Sequence, residues 1–254
     1  MAGPKHATTT ARGGRKYRVP DLDGTIIELP SVTTLLGTLG KPAIAGWAAK
    51  QVAEYAVANH DIITAMLERG QTEDATKLLK GSPWTTRDTA ANVGTRVHKL
   101  IEQNILGSAP TPDEQERPYW QSYLAFRQEY PDLQLLSSEL TVYSLEHQYA
   151  GTLDSIVSMG GQRACVDWKT RQGKSTGGTW VYESELAQVA AYCHAERFLL
   201  DDGTTGVLEP FDAAVIVLLC EDGFKLGVPD LERDWQAFLH IRALHSWKQQ
   251  VDGL

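Results

Sequence analysis

Gly160-Gly161 is the feature that most constrains what this chain can fold into. It separates two runs rich in β-branched and apolar residues, Gly151-Thr-Leu-Asp-Ser-Ile-Val-Ser-Met159 and Ala164-Cys-Val-Asp-Trp-Lys-Thr170. Two glycines between such runs signal a hairpin, because the tight turn needs positive φ at its centre. The turn also fixes the register. A loop centred on the Gly-Gly bond sets Asp154 opposite Asp167 on one face of an antiparallel pair. Lys169, two residues further on, shares that face. Like charges directly opposed on neighbouring strands destabilise a sheet. A divalent cation removes the penalty, since hard cations take carboxylate oxygens as ligands. The alternative is a pair of acids at the sheet rim, bridged by Lys169.

The hairpin has company. Leu136 to Ser144 reads as a strand with Glu139, Thr141 and Tyr143 on one face. A four-residue turn, Leu145 to Gln148, places Glu139 opposite Asp154 and lines three acids across three strands. Asp212 to Cys220 is almost wholly apolar and reads as a strand buried on both faces. Thr89 to Leu106 reads as a helix with a stripe of Val93, Val97, Ile101 and Ile105. His98 borders that stripe, with Gly94 one turn before it and Glu102 one turn after, where Glu102 can orient the ring. Further helices are expected over about 113–130, over Glu183 to Leu200 with Gln188 and Tyr192 one turn apart, and over Leu231 to Val251.

The front is different. Residues 1–18 carry Lys5, Arg12, Arg15, Lys16 and Arg18 without an acid, and read as a flexible basic tail. Such a tail is either a nucleic-acid-binding arm or a terminus with no role. Residues 19–88 read as a mainly helical subdomain, after a turn at Asp21 to Gly24 and a short strand from Thr25 to Leu29. Ser31 caps its first helix. A longer helix covers Ala43 to Arg69, and a short one covers Asp74 to Lys80, closed by Gly81-Ser82-Pro83. Lys41, Trp47 and Lys50 are placed to touch nucleic acid, although a buried Trp47 is the simpler reading. Residues 89–254 then form the main domain.

Composition narrows the function classes. The net charge of −8 argues against non-specific nucleic-acid binding by the whole surface, though not against a local groove. No apolar run is long enough to span a bilayer, so no membrane partner is expected. The N-terminal residues lack the apolar stretch of a secretory signal. Three cysteines, Cys165, Cys193 and Cys220, make neither a disulfide framework nor a zinc knuckle, and a reducing cytoplasm fits them best.

Taken in order, four motifs resemble the PD-(D/E)XK nuclease superfamily in its RecB-like branch. They are Gly94-Thr95-x-x-His98 on a helix, Gly-Thr-Leu-Asp154 on a strand, Asp167-Trp168-Lys169 on the next strand, and Gln188-x-x-x-Tyr192 on a helix. The front of the chain, with Pro-Ser-Val-Thr-Thr-Leu-Leu, also looks like exonucleases of this branch from actinobacterial bacteriophages. The resemblance implies an α/β (α+β) fold: a restriction-endonuclease-like αβββαβ core with a mixed sheet, a helical N-terminal subdomain and a C-terminal helix. It implies Asp154 and Asp167 as principal metal ligands, helped by the Trp168 carbonyl, His98 and Glu139. Lys169 would orient the attacking water and stabilise the scissile phosphate. Gln188 and Tyr192 would position the phosphate backbone or Lys169, or else pack on the sheet with their polar tips satisfied. The cofactor implied is Mg2+ or Mn2+. Iron–sulfur relatives carry four cysteines, and this chain has three, so no iron–sulfur cluster is expected.

The function implied is a metal-dependent DNA exonuclease acting on linear, end-bearing DNA in the cytoplasm, in a phage setting the host's. A recombinase or single-strand-annealing protein would be its partner. Two alternatives stay open at this level. One is a structure- or site-selective endonuclease of the same fold, and the other is a non-catalytic DNA-end-binding recombination module.

Overall fold

A computed structural model describes residues 6–9, 14–40, 42–176 and 181–252. Lys5 and Arg12 of the expected tail and Lys41 of the expected helical front lie outside the described residues. The chain divides into two compact units, Met1–Leu39 with Val97–Leu254, and Gly40–Arg96.

The first unit opens with strands where a tail is expected. β1 (Ala7–Thr9), β2 (Arg15–Pro20) and β3 (Ile26–Pro30) form a three-stranded antiparallel sheet. Composition hid the period-two pattern in β2. Tyr17 and Val19 point inward and are 1% and 0% exposed, while the basic residues alternate with them. Lys16 pairs with Glu28 across the sheet. The Asp21 carboxylate accepts the Asp23 and Thr25 amides and makes the expected turn. Ser31 caps α1 (Val32–Leu36) by accepting the Thr34 amide at 3.0 Å.

The second unit is helical. It holds α2 (Pro42–Ala58), α3 (His60–Glu68) and most of α4 (Thr72–Ile105), whose residues from Val97 on belong to the first unit. Lys50 pairs with Glu54, and Trp47 is half-buried. The two helices expected over Asp74 to Lys80 and Thr89 to Leu106 are one, because α4 runs through Gly81 and Pro83. A proline inside a helix leaves the carbonyl four residues earlier without its amide partner. Here that carbonyl is Leu79, and the Ser82 hydroxyl donates to it at 2.9 Å. Serine beside proline, which reads as a stop signal, thus repairs the helix.

The remaining elements are α5 (Arg117–Glu129), β4 (Gln134–Ser144), β5 (Tyr149–Met159), β6 (Gln162–Thr170), α6 (Glu183–Cys193), β7 (Arg197–Leu199), β8 (Thr205–Val207), β9 (Ala213–Leu219), β10 (Phe224–Gly227) and α7 (Leu231–Asp252). Their sheet has seven strands in the order β10-β9-β6-β5-β4-β7-β8. It is mixed: β6 and β9 are parallel, and every other pair is antiparallel. The protein is therefore a mixed α/β fold, as its alternation of helical and strand patterns requires. The helix expected to reach Leu200 stops at Cys193, and residues 197–199 become β7, which covers the free edge of β4.

Packing decides which way β6 faces. Trp168 is 2% exposed and meets Tyr123 and Phe126 of α5 edge-on, at 5.7 and 5.4 Å between ring centroids. Alternation then turns Asp167 and Lys169 to the other face. There Ala187, Ala190 and Ala191 of α6 pack in one core cluster with Cys165, Ile216 and Leu218, alongside α1 and the Trp235, Phe238 and Ile241 face of α7. Among the described residues, no helix is long and apolar enough to cross a membrane.

The repair of α4 is testable by chemical denaturation. Ser82→Ala should cost about 1 kcal/mol. The same change in a Pro83→Ala background should cost less, because residue 83 then supplies the missing amide.

Candidate metal centre

The Gly160-Gly161 turn forms, with Met159 opposite Gln162, and the ladder keeps the expected register as far as Ser155 opposite Val166. One step further lie Asp154 and Asp167, where the two strands part. β6 continues against β9 through Thr170, and β5 continues against β4. In the fork, Asp154 Oδ2 accepts the Trp168 amide at 2.9 Å. In an extended strand a residue's carbonyl leaves by the same edge as its amide, so the Trp168 carbonyl is also on the Asp154 side.

The β4–β5 register is also the expected one, with Ser138 opposite Ser155 and Leu140 opposite Leu153. Glu139 falls between these pairs, level with Asp154, but leaves the ladder with φ of 49°. A non-glycine residue in this region inside a strand carries strain of about 1–3 kcal/mol, held in place by its surroundings. The effect is to re-aim the carboxylate. His98 comes from α4, anchored by Val97 and Ile101, which are 0% and 1% exposed. Its Nδ1 lies 3.6 Å from Asp154 Oδ2. One donor atom each from His98, Glu139 and Asp154 lie within 4.8 Å of one another.

Asp167 stands behind this group rather than in it. It is 1% exposed, and neither of its oxygens accepts a well-directed hydrogen bond among the described residues. Its compensation is the Lys169 ammonium, 2.5 Å from Oδ2. Burial, joined by the Asp154 charge, raises the Asp167 carboxyl to about 6 against the pull of Lys169. Desolvation, and then Asp154, raise Glu139 to about 7. Glu139 is exposed as a residue, but its carboxylate is the part that meets the other acids. Burial by itself would lower Lys169, yet Asp167, Asp154 and Glu185 outweigh it and hold the ammonium above its ordinary value. Lys169 is therefore a cation at neutral pH.

Gln188 Nε2 donates to the Tyr192 hydroxyl at 2.9 Å, and burial pushes that phenol well above its ordinary range. Tyr192 also explains Gly151. A Cβ at Gly151 would sit 2.4 Å from the Tyr192 ring, so the ring lies flush on the strand that carries Asp154. Glu102 does not orient His98 as expected; its Oε1 accepts the Ser138 hydroxyl at 2.8 Å and ties α4 to β4 beside Glu139.

No protein-family model matches the chain, and no curated protein sequence does.

Sequence reasoning missed the pair formed by Arg171 and Glu185, both largely buried. Glu185 also reaches back to the Tyr182 amide at 3.1 Å, and the Arg171 guanidinium lies 5.0 Å from the Tyr182 ring. The signal was present as Tyr182-x-x-Glu185, a capping pattern with tyrosine in place of serine or threonine. The donor set of two carboxylates and one imidazole, with the buried Asp167–Lys169 pair beside it, fits a divalent cation. The three cysteines are free, one fewer than a four-cysteine cluster takes.

Two outcomes follow. Gly151→Ala should lower stability by about 1–3 kcal/mol through overpacking against Tyr192. The second concerns pH in the metal-free protein. Glu139 and Asp167 have folded pKa values above their unfolded ones, so the native state holds protons that the unfolded chain has released. The contribution to stability therefore falls as pH rises from about 4 to about 7. The melting temperature should drop over that range in chelator, and Glu139→Gln should flatten the drop. Added Mn2+ should restore it at about pH 7.5 and do little at about pH 5.

Proposed function

We propose that this chain is a metal-dependent deoxyribonuclease of the PD-(D/E)XK type that hydrolyses phosphodiester bonds at DNA ends. The observation that carries the reading is the buried Asp167–Lys169 pair directly behind the His98, Glu139 and Asp154 donors. Acids and one fixed ammonium at a single strand fork suit a reaction in which an anionic phosphate must be drawn into an anionic site. The succession α4, α5, β4, β5, β6, α6, β7, β8, β9 contains an α-β-β-β-α-β order once α5, β7 and β8 are taken as additions, and this supports the reading.

His98, Glu139 and Asp154 would hold Mg2+ or Mn2+, with Asp167 and the Trp168 carbonyl within reach of the same fork. Bound there, a divalent ion neutralises the phosphate and lowers the pKa of water. The residues do the rest. Lys169, kept protonated by its acidic neighbours, donates to a phosphate oxygen and stabilises charge gathering there. It is a poor general base for the same reason. Asp154 fixes the Trp168 amide, so the backbone of β6 is rigid where the phosphate docks. Gln188 and Tyr192 brace each other on α6. The net charge of −8 keeps DNA off the rest of the surface, which favours engagement at one local site.

The test is incubation of linear and covalently closed DNA with Mg2+. Linear DNA should be degraded and closed circles spared. Efficient linearisation of closed circles would favour an endonuclease, and tight binding without cleavage a DNA-end-binding module. Asp154→Ala, Asp167→Ala and Lys169→Ala should each lower the rate about a hundredfold or more while the protein still melts cooperatively. An active Asp167→Ala variant would contradict the mechanism.

A further inference from the structure

A cavity of about 520 Å3 lies between the end of α4, α5 and the start of β4. Its size is within the range of about 300–1,000 Å3 usual for small-ligand sites. Leu106, Leu133 and Leu135 give it apolar walls, and Arg127, Asn104 and Ser138 contribute polar groups. Two features connect it to the metal donors. Ser138 is the residue before Glu139, and its hydroxyl is held by Glu102, one turn beyond His98. The β4–β5 register also shifts between Leu135 and Ser137, so β4 bulges along the cavity wall. Bulges beside active sites re-aim side chains and interrupt pairing.

Arg127 is the polar group with work left to do. Its Nε is buried with no hydrogen-bond partner, while the guanidinium neighbours the Tyr123 hydroxyl. Tyr123 in turn donates to Asn104 Oδ1 at 3.0 Å, which fixes the cavity floor. A planar cation with an unpaired donor, lining the same cavity as the leucines, matches a ligand that has a phosphate at one end and a flat apolar face at the other. A free phosphate leaves the leucines unused.

We infer that this cavity is a deoxynucleotide subsite, in which Arg127 takes a phosphate and the leucine walls take the base of a residue next to the scissile bond. The inference rests on the nuclease reading for the identity of its ligand, and its test does not depend on cleavage. Deoxyadenosine 5′-monophosphate is titrated calorimetrically into the metal-free protein in chelator, with deoxyadenosine and inorganic phosphate as separate arms. The monophosphate should bind saturably, and each fragment at least about tenfold more weakly. Arg127→Gln should weaken binding about tenfold, the loss of one charge-assisted contact. Leu106 is 67% exposed, so Leu106→Ala spares the core and should weaken binding several-fold even if Arg127→Gln melts early. Asp154→Ala should leave the affinity unchanged, since it alters the metal centre and not the cavity. No saturable binding, phosphate binding as tightly as the nucleotide, or wild-type affinity in both Arg127→Gln and Leu106→Ala would overturn the inference. Nucleotide binding by a protein that cleaves no DNA would uphold the subsite and remove the nuclease reading alone.

Discussion

The structure turns on a carboxylate that is buried without enough partners. Asp167 is 1% exposed and has Lys169 as its compensation. A charge so placed costs several kcal/mol unless opposite charge and hydrogen bonds surround it. The neighbourhood is organised around that cost. Trp168 wedges into the α5 aromatics and stops β6 from rotating Asp167 out to water. Tyr192 lies flush on Gly151 and closes the other side. Glu185 and Arg171 continue the alternation of charge beyond Lys169. Structural ion pairs alone seldom explain such an arrangement, because apolar side chains of the same volume do as well or better. Perturbed acids facing further donors at a strand fork are the feature on which the proposed function rests.

The core of this site was legible because hairpin registers are arithmetic. The Gly160-Gly161 turn and the four-residue turn at Leu145 to Gln148 both place their strands as expected. These registers bring Glu139, Asp154 and Asp167 level with one another on three adjacent strands. What registers do not show is where a ladder ends. The strands part just where the acids lie, so Asp154 bonds the Trp168 amide and Glu139 takes a left-handed conformation. Nothing in the residue types announces either event.

Other misses have local causes. Charge composition masked the Tyr17 and Val19 alternation, so β2 looked like a tail. Gly81 and Pro83 looked like a stop because the compensating Ser82 bond is a side-chain effect. The segment from Arg197 to Leu199 follows a helix without a breaker, and pairing with β4 on one side and β8 on the other makes it a strand. Only for β7 did tertiary context override the local signal. The α6 residues Gln188 and Tyr192 were legible as a pair but not in role, since the same spacing serves packing and catalysis equally.

The proposed function requires His98, Glu139 and Asp154 to be ligands of one divalent cation. Crystals soaked in MnCl2 and measured near the manganese absorption edge test it most directly. An anomalous peak should lie within about 2.0–2.4 Å of a donor atom from each of the three residues, and should vanish in Asp154→Ala crystals treated alike. A peak bound elsewhere in the fold, or no peak at saturating manganese with the three side chains ordered, would contradict it.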